Sequence, residues 1–205
     1  VNVASDVDSI TLTDTQVSLS DGGTSLGSVL ITGLEDVNGD GETASLTGAS
    51  DGTAFDVSAF TGDATVTGGA GTDTVSGPGT ADVDWTLDTA TMGTAVNVAD
   101  ATHRVEFDLI EEFIGGTGND TFILSAGVTS VASITGGAGV NTLDLQAAGA
   151  DQSVTLTALG TGGVGFAGNT SGAGALVVTA FDNVTNVLAN VANTNTLTGA
   201  DVDSA

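Results

Sequence analysis

Acidic side chains set beside glycine are the residues of this sequence best suited to chemistry, and their spacing points to a hard cation. Residues 68–76 read GGAGTDTVS and residues 115–123 read GGTGNDTFI, so Asp73 and Asp120 each close a six-residue glycine turn. Glycine reaches positive φ without steric cost, which lets such a turn aim several carbonyls at one point while the carboxylate supplies charge for calcium. A third copy, residues 136–143 (GGAGVNTL), places Asn141 where the acid stands and offers a neutral ligand. The alternative for all three is a side chain that hydrogen-bonds the backbone of its own turn. A second pattern, Asp36-Val37-Asn38-Gly39-Asp40-Gly41-Glu42, sets Asp36, Asn38 and Asp40 at positions 1, 3 and 5 with Gly at 6, as in an EF-hand-type loop. Thr47 stands where the bidentate Glu of such a loop belongs, and an acidic Asn-Gly hairpin turn is the competing reading.

Catalysis finds little to work with, and we expect no enzyme. A lyase acting on acidic polysaccharide needs a base and cations, and only the adjacent His103 and Arg104 are present. Glu111 and Glu112 would face opposite ways on a strand, which disqualifies them as a glycosidase dyad and leaves a solvated turn. A lone His without Cys makes no zinc site. Trp85, the single Trp, reads as a core filler on an inferred strand rather than as a sugar platform.

The elements that must position these residues are short strands. Segments such as Ile10-Thr11-Leu12, Val29-Leu30-Ile31, Val83-Asp84-Trp85-Thr86-Leu87, Val96-Asn97-Val98, Phe122-Ile123-Leu124, Leu143-Asp144-Leu145 and Val154-Thr155-Leu156 alternate in polarity and are rich in Val, Ile, Leu and Thr. Gly-Gly, Asp-Gly, Asn-Gly and Thr-Gly pairs punctuate them, and no 3.6-residue period persists, so helix is expected nowhere except for a turn near residues 109–113. The glycine turns at Gly115 and Gly136 start 21 residues apart, and Thr198-Gly199 follows Thr135-Gly136 by 63. A coil of about 20 residues is the natural lap of a β-solenoid. Gly68 and Gly115 are 47 residues apart, which implies inserted loops. The expected fold is therefore all-β, a parallel β-solenoid over residues 60–205 that continues past the C-terminus in a larger protein. Residues 1–59 form either an irregular β segment or a small β-sandwich-like domain.

The two full nonapeptides fit G-G-x-G-x-D-x-U-x and resemble the repeats-in-toxin (RTX) calcium-binding motif. That resemblance implies Asp73 and Asp120 as calcium ligands, with Val75 and Phe122 packed inside. The family's repeats run in tandem, whereas these copies are single. The wider texture of residues 60–205 is similar to large bacterial surface proteins, among them filamentous-haemagglutinin-like adhesins, RTX adhesins and calcium-dependent S-layer proteins.

Composition narrows the partners. Against 26 Asp and Glu there is one Lys or Arg, giving a formal charge of −25. Such a surface repels phosphate backbones and anionic lipid, and its self-repulsion calls for salt or divalent cations. Nucleic acid and membrane insertion are not expected, and no apolar run reaches the ~18 residues of a membrane helix. Cysteine is absent, aromatic residues make up 4% and glycines number 31, which suits thin stacked layers of small side chains. These features lead us to expect a secreted, extracellular structural module of a filament, adhesin or S-layer, calcium-stabilised and self-associating. A calcium-dependent carbohydrate or host-adhesion module, with glycans as partners, is the alternative, and a β-helix polysaccharide lyase ranks third.

Overall fold

The computed structural model describes the backbone at residues 2–3, 9–13, 16–21, 24–30, 36–41, 44–60, 63–77, 79–172 and 176–199, and side chains at 45–57, 63–77, 79–101, 104–172 and 176–199. Alternating apolar and polar residues, cut every few positions by glycine or Asx turns, give strands throughout. In chain order these are β1 (Asn2–Val3), β2 (Ser9–Thr13), β3 (Gln16–Asp21), β4 (Thr24–Leu30), β5 (Asp36–Gly41), β6 (Ala44–Thr47), β7 (Ala54–Phe60), β8 (Ala64–Thr67), β9 (Thr74–Ser76), β10 (Val83–Leu87) and β11 (Gly93–Asn97). They continue as β12 (Asp100–Asp108), β13 (Glu112–Ile114), β14 (Thr121–Leu124), β15 (Ser130–Thr135), β16 (Thr142–Leu145), β17 (Ser153–Leu159), β18 (Phe166–Ser171), β19 (Val177–Val184), β20 (Asn186–Ala189) and β21 (Thr196–Thr198). Helical structure among the described residues is limited to a 3-10 turn at Thr161–Gly163. No helix there is long and apolar enough to cross a membrane.

The chain is all-β, in two mixed sheets. The first has ten strands in the order β1-β5-β7-β9-β13-β15-β19-β18-β17-β21; the second has eleven, β20-β16-β14-β10-β11-β12-β8-β6-β2-β3-β4. Outside three antiparallel meanders, β2-β3-β4, β10-β11-β12 and β17-β18-β19, successive strands fall alternately in the two sheets. Each then lies parallel to a strand of the preceding lap, as β9 does to β7 and β16 to β14. Both sheets run on across residue 59, since β7 pairs with β9 and β6 with β8. The expected turn near residues 109–113 is instead a tight corner, with Leu109 at φ 56 and β13 following directly.

In-register parallel pairing places like side chains on one another, which assembles the core in columns. In the first sheet Phe55, Val75, Phe113, Ile134 and Phe181 are successive register partners. In the second, Trp85, Phe122, Leu143 and Val187 form a matching column. Trp85 is fully buried, stacked on Phe122 with ring centroids 5.7 Å apart and tilted against Phe107 at 6.1 Å. It fills the core, as expected from the sequence, and is closed to any ligand.

Candidate functional site

The glycine turns are the corners where the chain passes from one sheet to the other. Residues 48–53 and 68–73 form successive corners entering the first sheet, while residues 115–120 and 136–141 form successive corners entering the second. Corner rests on corner through the backbone: Gly52 N donates to Ala70 O, and Ala138 N donates to Gly116 O. Two glycines are indispensable for this approach. A Cβ on Gly69 would stand 1.6 Å from Ala49 O, and Gly71 holds φ +101. Residues 48–53, which read GASDGT, are a fourth copy that the sequence reading missed because Thr53 stands in the acid's place. The signal was present in the Leu-Thr-Gly and Val-Thr-Gly entries to the two corners, 20 residues apart.

The last residue of each corner does the same work. Asp73 Oδ2 accepts from Gly69 N at 2.9 Å and Oδ1 from Thr53 N, one lap earlier, at 2.7 Å. Asp120 Oδ2 accepts from Gly116 N at 2.8 Å and Oδ1 from Val83 N at 3.1 Å. Asn141 Oδ1 accepts from Asp120 N at 3.0 Å, and its Nδ2 donates to Ala138 O and Asn183 O, both at 3.1 Å. Thr53 Oγ1 accepts from Ala49 N at 3.0 Å. All four side chains are buried, and Asp73, Asp120 and Asn141 are 0% exposed. Each ties its own corner shut, and the acids and Asn141 also bind the neighbouring lap, so backbone groups stranded between strands are satisfied.

Asp73 and Asp120 lie on opposite edges of the two sheets and are not brought together. Asp73 instead meets Glu111, whose Oε2 accepts from Asp73 N at 2.9 Å, while Glu112 Oε2 accepts from Thr74 Oγ1 at 3.1 Å. The solvated turn expected at Glu111 and Glu112 is thus a capping position, because the short corner there supplies no Asp of its own. Among the described residues no group of three or more His, Cys, Asp or Glu side chains is placed to hold a metal ion. The segment of Asp36, Asn38 and Asp40 is not a loop in the backbone: it is strand β5, paired in parallel with β7, with a register break between Asn38 and Asp40. The side chains of Asp36, Asn38 and Asp40 lie outside the described residues, as does that of His103. Arg104 pairs with Glu106 at 2.6 Å on the surface.

Burial pushes the Asp120 carboxyl above the usual carboxylate range, opposed by the N–H bonds from Gly116 and Val83 and helped by the charge of Asp82. Burial likewise raises Glu111, with the Asp73 N–H opposing and the charges of Asp73 and Glu112 adding. A carboxyl with a raised folded pKa holds its proton more tightly in the folded than in the unfolded chain. It therefore adds stability that appears as pH falls through the folded pKa and is complete below the unfolded one. Thermal melts should accordingly rise as pH is lowered from neutrality toward the carboxylate range. An Asp120→Asn, Glu111→Gln double variant should show a flatter rise, and an unchanged profile would refute the assignment.

Two surface depressions are roomy enough to receive a small ligand. One of about 580 Å³ is lined by Gly149, Asp151, Gln152, Asn193 and Thr194, and another of about 270 Å³ by Asp88, Met92, Glu106, Phe107 and Asp108. Neither is lined by a His, Lys or Arg side chain. No protein-family model matches the chain, and neither a curated protein nor a solved structure matches it.

Proposed function

We propose that the chain is a structural, self-associating module of an extracellular bacterial surface or matrix protein, built as a parallel two-sheet β-solenoid. The observation that carries this reading is the use made of the side chains with chemical potential. Asp73, Asp120, Asn141 and Glu111 all accept backbone N–H groups that join one lap to the next. Groups arranged in this way are spent on holding one lap to the next rather than on a substrate. The alternation of parallel strands between two sheets and the in-register core columns support the solenoid part of the reading.

Calcium enters this proposal through charge first. A chain of net charge −25 is destabilised by self-repulsion, and a divalent ion screens it more strongly than sodium does. Site binding at the corners would add RT ln(1 + [L]/Kd) on top of screening. The test is a set of thermal melts in calcium, in sodium chloride of equal ionic strength and in chelator. The proposal expects the calcium melt to lie above both others. Coincident calcium and chelator melts would remove calcium from the function, and specific binding of the monomer to a glycan would replace the structural reading with the adhesion one.

A further inference from the structure

The depression of about 270 Å³ beside the β10–β11 turn joins an apolar floor to an acidic rim. β11 opens with Gly93, buried opposite Phe107, and a Cβ there would strike Thr86 O and crowd the Phe107 ring at 2.9 Å. The position must stay bare, so the backbone at Gly93 and the buried ring of Phe107 make the floor. Met92 forms a wall. Its carbonyl accepts from Asp88 N at 2.9 Å and from Thr89 N at 3.2 Å, which closes the turn and leaves the side chain 42% exposed.

The rim is carboxylate: Asp88, Glu106 and Asp108 line the depression and all three are exposed. Glu106 and Asp108 alternate along β12 and so share one of its faces. Two of the three are held in place, Asp108 by a bond from Leu109 N to Oδ1 at 2.8 Å and Asp88 by one from Ser125 Oγ to Oδ1 at 3.2 Å. The chain's single cationic side chain of the Lys or Arg type, Arg104, is spent on Glu106. Asp88 and Asp108 therefore keep their charge for a partner, and the acids are not placed to share a metal ion.

Going beyond the structural reading and independently of it, we infer that this depression docks a lysine side chain of a basic partner polypeptide, its methylene stem on Gly93, Phe107 and Met92 and its ammonium at Asp88 and Asp108. A long aliphatic stem that ends in a cation is the side chain able to use both parts of such a site. Arginine's planar fork suits one carboxylate taken bidentately, whereas two carboxylates on different elements suit the point charge of an ammonium. The unbranched thioether of Met92 adapts to a stem laid against it. The volume lies at the small end of the usual range for ligand sites, about 300–1,000 Å³, and suits one long side chain. A second copy of this chain has no lysine to offer, and a net charge of −25 draws a basic partner in.

The test is a titration with fluorescein-labelled hexalysine, read by anisotropy at physiological salt. An Asp88→Asn, Asp108→Asn variant should bind about fivefold more weakly than the wild type. An Asp51→Asn, Asp144→Asn variant has the same net charge, with the acids removed elsewhere on the surface, and should bind as the wild type does. Met92→Ser keeps every charge and should still weaken binding about threefold, because the stem loses apolar contact. None of these variants should lower the thermal melt, since the side chains are exposed and Asn retains the Oδ1 acceptor. Equal losses in the two double variants would assign the binding to the overall charge of the chain. That result, wild-type binding by Met92→Ser, or a wild-type chain that ignores the peptide would each overturn the inference and leave the structural module standing.

Discussion

Replacing Asp120 by alanine is expected to lower the free energy of unfolding by about 1–4 kcal/mol, because one buried and one half-buried N–H group lose their acceptor and a buried one costs about 1–3 kcal/mol when left unmet. The two are Gly116 N within the corner and Val83 N in the neighbouring lap. Urea unfolding should register the loss in chelator as fully as in calcium, since the partners are backbone groups. An Asp120→Asn variant should fall between. Its Oδ1 can still accept from Val83 N, but its Nδ2 faces another donor at Gly116 N. Asn141 avoids that conflict by turning its Nδ2 toward Ala138 O and Asn183 O. If the loss in Asp120→Ala appeared only when calcium is present, the carboxylate would be an ion ligand and the capping account would fall.

The second large effect is expected at Trp85. It is the largest fully buried side chain, and its ring lies against Phe122, Phe107 and Phe113, with centroids 5.7 to 6.2 Å away. It thereby joins the β10-β11-β12 meander to both sheets. Trp85→Ala should cost about 3–5 kcal/mol, the range for removing a large ring from a packed core. Trp85→Phe should cost much less, because the indole N–H is buried without an acceptor and its removal relieves that deficit. As the only Trp, it reports on its own site: emission should be blue-shifted and shielded from acrylamide until unfolding. Emission typical of exposed indole in the folded protein would contradict this packing.

Much of the strand plan was legible from alternation alone. Val83–Leu87 is β10 residue for residue, and the expected segments at Phe122 and Leu143 fall in β14 and β16. What the sequence conceals is pairing. The 47 residues between Gly68 and Gly115 contain a whole antiparallel meander and a passage to the opposite edge of the sheets, not a loose loop. Strand propensity cannot distinguish β11 and β12, which pair antiparallel within one sheet, from strands that cross to the other, since both present the same alternating faces.

The corner residues stand out in the sequence by their place at the end of each glycine turn, but the N–H groups they meet do not. Which N–H each carboxylate meets depends on the lap above, 20 residues away for Asp73 and 37 for Asp120. Glu111 reads as part of a solvated turn in the sequence for a related reason. Its corner is short, running through Leu109 at φ 56, and only the stacked neighbour reveals that its carboxylate stands in for the missing aspartate. Asn183, at φ 55, marks a similar short corner after the later internal meander, on the opposite edge of the sheets.

The two internal meanders lie on opposite walls, the earlier in the second sheet and the later in the first. Each lengthens its own wall by two strand spacings, about 9–10 Å, while the facing wall gains nothing. Either alone would act as a wedge in masonry and turn the course of the stack toward an arch. Set in opposing sheets, the two wedges would offset one another, and a hairpin gained or lost in one sheet would tip that balance toward the other.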